Sequence, residues 1–560
     1  MSFFPVFPRR EWGAFFLALA LAVPISAFSL FRHGLWRPAE AREAGIACDM
    51  LESGNYAATT LNFELFLEKP PLYTWAIALP IRVFGRHAWA VRIPVLLFTL
   101  GTLALAYPLA RRYTGRRGAV AAVAMLSTMA LFIEVNHGAM IDNGMLFFIV
   151  LAMLAFLRMD AFPPGAGGWR FAGWAALFYG AVGATFLCKG AIGVLLVAGA
   201  AGGHCLCTRR WAPLRPAALA AAAVALPATA GSWLWALWAR GGAEYYRVFF
   251  VENHLHRLLG SYGPTAPWHY YLPLVLAAPL PWTPLLAGGA VLAVRESRAP
   301  AGTAGEGQTP RQRWLFLAWW TGWMLFLLSA SAGKDNQYIL PLLPPLAVLC
   351  GAWTEKWLSG AAVARWEWVL ASIPVLFWSL ALPVVPWVPA VAHRAFSWSA
   401  LAWELALAAL SWAALRAFFR HRRAEAASWT ALQLVAFGCA TGVFLEGVLD
   451  EAKSTRELAE IVREATRGGT LYASALNENT EGALIFHGVR PRRVPDEAEA
   501  RRIGTSPEPA YMFGAGNRWG RLFSGHLLEQ GCWRPVFERD VNGHPYWLLA
   551  NDAVPPAGDP

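Results

Sequence analysis

Apolar runs of about 20 residues alternate with short polar segments through most of this chain. Runs of that length can cross the hydrocarbon core of a bilayer as helices. We therefore predict an α-helical polytopic membrane protein with about thirteen spans before residue 450. The predicted spans are 13–32, 87–110, 118–134, 142–158, 171–188, 190–207, 216–238, 269–294, 314–331, 338–353, 367–389, 398–416 and 429–447.

The arginine clusters set the predicted orientation of these spans, because cytoplasmic loops carry an excess of Lys and Arg. Arg9 and Arg10 precede the first span, which therefore runs outward. The apolar segment 71–85 is short and contains Pro80 and Arg82, so we predict a helix at the membrane interface there. With that choice the loop 33–87 faces outward and the later arginine clusters face the cytoplasm.

The tail after residue 450 has a different pattern, with more charges and shorter apolar runs. Helix-like stretches at 456–466 and 481–486 alternate with strand-like ones. The predicted strands are 471–473, 510–513, 535–539 and 545–549, the last two joined around Asn542-Gly543. We predict two domains: a membrane domain, 1–449, and a small outer α/β domain, 450–560.

Composition agrees with a membrane protein and excludes other classes. Hydrophobic residues make up 57% of the chain and charged residues 15%, against about 25% charged in soluble domains. The net charge of +11 comes from short basic clusters between apolar runs, which indicates membrane orientation rather than nucleic-acid binding. Of seven cysteines only Cys205 and Cys207 lie close in sequence, so no disulfide framework is predicted.

Three lysines stand out on the predicted outer face. The chain has five lysines and forty-two arginines, and Lys69, Lys189 and Lys334 all fall at outer ends of membrane segments, beside Gly or Pro. Each could anchor its segment by snorkelling. Together they favour a shared anionic ligand such as a phosphate, which Lys binds as a compact point charge.

Four carboxylates lie on the same predicted face: Glu40, Glu68, Glu134 and Asp142. Such groups can serve as a general base or as metal ligands. The predicted outer loop 239–268 adds His254 and His256, but two residues apart they are a weak metal pair.

Several short motifs then follow one another in a characteristic order. They are Pro38-Ala39-Glu40, the stretch Met50 to Tyr56, Glu68 to Trp75 (EKPPLYTW), His137 with Asp142, Cys188-Lys189-Gly190, Glu252-Asn253 with Pro267 to Pro273, and Lys334 with Tyr338 to Pro341. This order resembles the GT-C glycosyltransferases that use polyprenyl-phosphate sugars. Within them it is most similar to bacterial protein O-mannosyltransferase relatives and the aminoarabinose transferase that modifies lipid A.

The resemblance implies an inner-membrane glycosyltransferase with its active site and C-terminal domain in the periplasm. It would transfer a sugar from undecaprenyl phosphate to lipid A, another glycan or lipid, or a protein. The implied catalytic residues are Glu40 and Asp142. The implied substrate-binding residues are Lys69, Tyr73, His137, Lys189, Arg257, Lys334 and Tyr338, and a zinc ion near Glu68 is a possible cofactor.

Two departures from the family pattern keep alternatives open. The family's first acidic pair begins with Asp, where this chain has Ala39, and the histidine expected to share zinc with Glu68 falls at Pro264. A catalytically impaired protein that binds polyprenyl phosphate is therefore one alternative. A membrane transporter is another, although its ionisable groups would lie in mid-span rather than on one face.

Overall fold

Helices dominate the computed structural model, which describes residues 9–27, 30, 33–36, 39–163, 168–256, 265–299, 309–393, 397–466, 469–474, 476–516, 518–529, 531–541 and 544–555. Up to residue 299 the α-helices are Arg9–Ala27, Glu40–Ser53, Leu72–Phe84, Ala88–Ala110, Arg116–Ser127, Ala130–Asn136, Ile141–Asp160, Trp169–Lys189, Ala191–Thr208, Pro216–Leu226, Ser232–Tyr246, Tyr271–Ala277 and Thr283–Ser297. From residue 309 to the tail they are Pro310–Ala330, Leu343–Leu358, Arg365–Ala381, Val388–Ala392, Trp398–Phe419 and Arg423–Ala440.

Nine helices in the described ranges are long and apolar enough to cross a membrane, or ten if the bent pair Arg116–Ser127 and Ala130–Asn136 forms one span. These ten correspond to predicted spans, and the chain is a multi-pass, mainly helical membrane protein. The other three predicted spans fall on Arg9–Ala27, on a broken segment around 278–282, and on the tryptophan-rich helix Pro310–Ala330. The count of thirteen spans therefore stays a prediction.

Two of the segments predicted as single spans are broken, and their breaks bond to each other. The backbone N–H groups of Ala130 and Leu131 donate to the carbonyls of Leu280 and Ala278, at 2.9 and 3.2 Å. Trp282 Nε1 donates to Thr128 Oγ1 at 2.8 Å. A helix can be interrupted at membrane depth only where the exposed backbone groups find partners, and these bonds supply them.

The helix predicted at 71–85 is present, whereas the outer loop predicted at 239–268 begins with helical structure. Leu72–Phe84 has 13 residues, about 20 Å of helix, which is too short for a hydrocarbon core of about 30 Å; its placement at the interface stays a prediction. The start of the loop predicted at 239–268 is wrong as a loop: helical structure is interrupted at Gly242, where φ is +58°, and then continues to Leu255. Its last part, Arg247–Leu255, is a π-helix.

The chain divides into two compact units. The first comprises Met1–Phe31, Leu67–Tyr73 and Pro94–Leu445, and the second comprises Arg32–Phe66, Thr74–Ile93 and Glu446–Pro560. Most of the first-loop residues thus group with the tail, and this grouping differs from the predicted division at 449–450, which stays a prediction.

The tail of the second unit is a small α/β domain, as predicted. Its helices are Glu446–Lys453, Arg456–Ala465, Glu478–Phe486, Glu497–Gly504 and Arg518–Glu529, and its strands are β3 (Thr470–Ser474), β4 (Arg492–Arg493), β5 (Ala510–Ala515), β6 (Trp533–Val541) and β7 (His544–Asn551). The strand order is β4-β3-β5-β7-β6. β3 runs parallel to β4 and β5, whereas β7 is antiparallel to β5 and β6. The predicted strands all lie inside these, while Asn542 and Gly543 lie outside the described residues.

Alternating side chains place helices on both faces of this sheet. Phe513 and Leu548 pack on one face with Leu458 and Leu484. Their neighbours Met512 and Leu549 pack on the other face with Ile503 and Leu527. Period-two alternation sends successive strand residues to opposite faces, so this pattern makes a three-layer domain.

The helix Glu40–Ser53 packs closely on Glu478–Phe486 within the same unit. A Cβ atom on Gly45 would lie only 2.5 Å from Gly482 Cα, so the two backbones approach where neither residue has a side chain. Arg490 adds an ion pair to Asp49 at 2.8 Å. The short hairpin β1 (Thr60–Leu61) and β2 (Glu64–Leu65) follows this helix.

Candidate functional site

Three of the predicted site residues meet in the first unit. Lys189 Nζ donates to Asp142 Oδ1 at 2.5 Å and lies 4.1 Å from the centre of the Tyr338 ring. Asp142 stands in the first turn of Ile141–Asp160, where the helix dipole favours a negative charge. Lys189 is the last residue of Trp169–Lys189, where the dipole favours a positive one. The helix ends therefore reinforce the pair.

A buried amide network holds the start of the Asp142 helix. Asn143 Nδ2 donates to Thr99 Oγ1 at 2.8 Å and also to Asn136 Oδ1. Thr99 Oγ1 donates to the same Asn136 oxygen at 2.9 Å. Because these side chains are almost fully buried, the network fixes the turn before Asp142 and thus the direction of its carboxylate.

The turn after Lys189 is shaped by Gly190, which has φ +70° and ψ −149°. Any side chain there would be strained, and its Cβ would also overlap His254 Nε2. A hydrogen bond between His254 Nδ1 and the carbonyl oxygen of Phe249, 2.8 Å long, fixes the orientation of the His254 ring. The π-helix thus brings one of the two predicted histidines against the Lys189 turn.

Asp335 is an acidic neighbour of this site that sequence reasoning missed. Burial raises the pKa of Asp335, with Lys189 opposing the shift and Asp142 adding to it. Tyr271 Oη donates to the Asp335 carbonyl at 3.2 Å. Its position in the sequence, between the predicted site residues Lys334 and Tyr338, could have indicated that Asp335 belongs to the site.

Lys334 has a different environment from Lys189. Its Nζ donates to the carbonyls of Leu328 and Ser329 at 2.8 and 2.9 Å, and to that of Ser331. These carbonyls end the helix Pro310–Ala330, and an ammonium has three donors. Lys334 therefore caps this helix, with its ammonium 5.3 Å from the Tyr271 ring.

The remaining predicted residues of the first unit have other contacts than the Asp142–Lys189 pair. Lys69 Nζ is 3.6 Å from Glu68 Oε2, and His137 Nδ1 is 2.7 Å from the Ile133 carbonyl. Tyr73 is fully buried. Glu134 is exposed, and Arg257 lies outside the described residues.

Glu40 belongs to the second unit and is paired with Arg92. Arg92 Nε donates to Glu40 Oε1 at 2.7 Å and its Nη2 to Oε2 at 2.6 Å. The Trp36 backbone N–H donates to Oε2 at 2.8 Å. Arg92 also donates to the carbonyls of His33 and Gly34. Both side chains of the pair are buried, and the predicted catalytic partners Glu40 and Asp142 fall in different units.

The described residues do not fit a zinc ion near Glu68. Among them no group of three His, Cys, Asp or Glu side chains converges as a metal site, whereas zinc in proteins takes three or four such ligands. No step proposed below uses a metal.

Comparison with known proteins supports the resemblance. Residues 68–235 match the dolichyl-phosphate-mannose-protein mannosyltransferase family. The chain is 35% identical over 352 residues to an undecaprenyl phosphate-alpha-4-amino-4-deoxy-L-arabinose arabinosyl transferase of Pseudomonas aeruginosa (strain UCBPP-PA14), covering 61% of this chain and 59% of that one. A second protein of that name, numbered 2, from Pseudomonas fluorescens (strain Pf0-1) is 34% identical over 353 residues, which cover 61% of this chain and 59% of that protein. The chain thus spans less than two thirds of the length of these curated relatives.

A solved structure shares the fold along nearly the whole chain. The crystal structure of ArnT from Cupriavidus metallidurans bound to undecaprenyl phosphate aligns with a TM-score of 0.72, covering 98% of this chain and 100% of that one, at 21% identity. At that identity the likeness shows the fold. The predicted fold class, an α-helical polytopic membrane protein with a small C-terminal sheet domain, is confirmed, and its fold is that of the ArnT structure.

Proposed function

Starting from its similarity to the GT-C aminoarabinose transferases, we propose that this protein transfers a sugar from a polyprenyl phosphate donor to an acceptor at the membrane surface. The observation that carries the proposal is the cluster of Asp142, Lys189 and Tyr338 in one unit. All three residues belong to sequence motifs that follow one another in the same order as in that family. A carboxylate beside a lysine with remaining donors is what transfer from a phosphate leaving group requires.

Lys189 is proposed to bind the donor phosphate. Its described contacts are one hydrogen bond to Asp142 and the face of Tyr338, and an ammonium has three donors. Two N–H groups therefore remain for phosphate oxygens. When the glycosidic C–O bond breaks, the polyprenyl phosphate leaves as an anion, and this fixed positive charge stabilises it in the transition state.

Asp142 is proposed to act on the acceptor as the carboxylate that orients or deprotonates its hydroxyl or phosphate group. Glu40 is proposed as a second catalytic carboxylate, with its orientation set by Arg92 and the Trp36 N–H. Lys69, Tyr73, His137, Arg257 and Tyr338 complete the proposed substrate-binding set. Lys334 was also predicted to bind the phosphate, but its three donors go to backbone carbonyls, so we propose that it supports the site by holding its loop. The acceptor is lipid A, another lipid or glycan, or a protein.

One observation favours binding without transfer as a second candidate. Glu40 is engaged by Arg92 through both carboxylate oxygens, and its neighbour is Ala39 where the family has Asp. An engaged Glu40 and the missing Asp are also expected in a protein that binds polyprenyl phosphate without transferring a sugar. The two candidates differ in a single-turnover assay with purified protein and radiolabelled undecaprenyl-phosphate sugars, because only the enzyme releases free undecaprenyl phosphate when acceptor lipid is added.

The same assay tests the assignment of Asp142. Transfer that depends on Asp142 and Lys189 supports the proposal. Donor binding with no release of undecaprenyl phosphate for any sugar, in protein that retains its bound lipid, contradicts the enzyme and leaves the second candidate.

The proposed location is the bacterial inner membrane, with the loop 33–87 and the tail in the periplasm. The arginine distribution supports this orientation. Single cysteines at Ser53 and Ala424, in a variant without the exposed Cys207, test it in intact cells. A membrane-impermeant maleimide should label position 53 and spare position 424, and the reverse result contradicts the orientation.

A further inference from the structure

A cavity of about 740 Å³ lies in the first unit, and none of the proposed catalytic or substrate-binding residues lines it. The helices Arg9–Ala27, Arg116–Ser127, Leu343–Leu358, Arg365–Ala381 and Arg423–Ala440 contribute its lining. The bent pair that begins at Arg116 ends at Asn136, the residue bonded to Asn143 beside Asp142. The cavity mouth at Arg116 and the Asp142 cluster are thus at opposite ends of that pair.

The interior of the cavity is apolar and elongated. Along one helix its lining runs from Arg116 to Met125, a depth of about 13 Å at 1.5 Å per residue. Leu21, Trp282 and Val375 are among its other apolar lining residues. A volume between about 300 and 1,000 Å³ is typical of sites that bury a small molecule or chain, so the space suits a hydrocarbon chain.

The mouth of the cavity is basic. Arg116 and Arg117 are its charged lining residues, and no Asp or Glu side chain contributes to the described lining. Arg116 Nε pairs with Glu11 at 3.0 Å while half of its side chain stays exposed. Arg117 donates from Nη1 to the Leu358 carbonyl at 3.3 Å. Both side chains are exposed, and a guanidinium carries five donors, so both residues can donate further hydrogen bonds to a ligand.

An apolar cavity with two arginines at its mouth, here called the shaft, can bind an amphiphile that has an anionic head group. Arg binds phosphate oxygens in a planar, often bidentate geometry. Basic pockets between transmembrane helices on the cytoplasmic side bind anionic lipid head groups. The arginine distribution of this chain predicts that Arg116 and Arg117 face the cytoplasm.

We propose that this cavity is a binding site for an anionic phospholipid of the bilayer, with one acyl chain in the shaft and the head-group phosphate on Arg116 and Arg117. The lipid is separate from the polyprenyl phosphate donor. It packs between the helices that line the cavity, and so it stabilises the bundle at the end opposite the Asp142 cluster.

The test uses the full-length protein, delipidated in detergent and then given equal amounts of phosphatidylglycerol and phosphatidylcholine with identical acyl chains. Native mass spectrometry counts each bound lipid. The wild type should retain phosphatidylglycerol at least about tenfold over phosphatidylcholine, since each arginine near a membrane surface contributes about 1 kcal/mol to anionic-lipid binding. The double variant Arg116→Gln/Arg117→Gln should lose that preference.

Three further variants separate the causes. Arg295→Gln/Arg311→Gln removes the same charge from exposed positions outside the cavity and should keep the preference. Arg116→Lys/Arg117→Lys keeps the charge and should keep most of it, which preserves the test if the Gln variant does not fold. Ala121→Phe fills the shaft and should lower retention of both lipids.

Three results would overturn the proposal. One is an unchanged preference in Arg116→Gln/Arg117→Gln, and another is an equal loss in the Arg295→Gln/Arg311→Gln control. The third is displacement of phosphatidylglycerol by equimolar undecaprenyl phosphate, which would assign the cavity to the donor lipid instead.

Discussion

Two carboxylate–cation pairs of this protein differ in how much of their bonding capacity the fold itself uses. In the second unit, Arg92 gives hydrogen bonds to both oxygens of Glu40 and to two backbone carbonyls. In the first unit, Lys189 gives one hydrogen bond to Asp142 and rests against Tyr338. Both pairs are largely buried, so burial alone does not distinguish them.

The difference indicates which pair the fold needs and which pair a ligand can use. A buried pair with nearly every donor satisfied is costly to break, because removing one partner leaves the other charge unpaired. A pair that keeps free donors can add an anionic ligand without losing its own bond. We therefore expect changes at Arg92 to act mainly on stability, and changes at Asp142 and Lys189 to act mainly on turnover and donor binding.

The largest expected effect is on turnover at Asp142. Asp142→Asn keeps the shape and removes the charge, and a general base should lose about 10²- to 10⁴-fold in the transfer rate. Undecaprenyl phosphate binding should remain. Glu134→Gln is the matched control, because Glu134 is exposed on the preceding helix. Normal turnover in Asp142→Asn contradicts the assignment.

Breaking the Glu40 pair should lower stability first. Arg92→Met leaves Glu40 buried without its guanidinium, a change that costs about 3–5 kcal/mol. Thermal unfolding in detergent, followed by dye binding, measures this loss of stability.

The variant Glu40→Gln keeps the neighbouring hydrogen-bond geometry and removes the charge. If Glu40 is a catalytic carboxylate, this variant should lose at least about 10²-fold in turnover even where the protein stays folded. Normal turnover in folded Glu40→Gln would leave this residue a structural role only.

Acidification should weaken the second unit through His487. Burial and the nearby charges of Arg463 and Arg456 lower the pKa of His487 to about 4 from 6.5. Because the unfolded chain takes up the proton first, the stability contributed by neutral His487 is complete above pH 6.5 and is lost as pH falls toward 4. The loss is at most about 3 kcal/mol at 1.36 kcal/mol per pKa unit.

Thermal midpoints between pH 7.5 and 4 measure this loss, with His487→Asn as the variant that lacks the titrating group. Its midpoint should fall less over the same range. Equal falls in both proteins contradict the role of His487.

A smaller effect is expected from the lysines. Lys189→Met should weaken undecaprenyl phosphate binding about tenfold, because a hydrogen bond to a charged group contributes about 1.5 kcal/mol or more. Lys334→Met should lower the thermal midpoint and leave binding closer to wild type, since Lys334 caps a helix with all three donors. The lysines serve as controls for each other, and the reverse pattern would make Lys334 the phosphate ligand.

Local sequence patterns predicted much of the fold. Apolar runs located ten of the spans, and period-two alternation located the tail strands around Phe513 and Leu548. The breaks near 128 and 280 were missed because backbone hydrogen bonds join them across about 150 positions of sequence, and no local pattern shows such bonds. Pro279 and Pro281 were the available signal for one of them.

The candidate site was predicted only in part, because local sequence patterns do not show contacts between distant residues. Asp142 and Lys189 were found because charged residues at span ends are exceptional, and they do meet. Arg92 was missed although a lone arginine inside an apolar run is itself a signal, because its partner Glu40 lies 52 positions away in sequence. The amides of Asn136 and Asn143 carry no periodic pattern, and only the folded chain brings them together.

The central claim is that this protein holds a polyprenyl phosphate through Lys189. The most direct measurement is mass spectrometry of the lipids that co-purify with the protein from its native membrane, in wild type and in Lys189→Met. We expect a polyprenyl phosphate, free or sugar-linked, at near-stoichiometric amount in wild type and about tenfold less in the variant. Wild-type protein that carries only bulk phospholipid, or equal polyprenyl phosphate in both proteins, contradicts the claim.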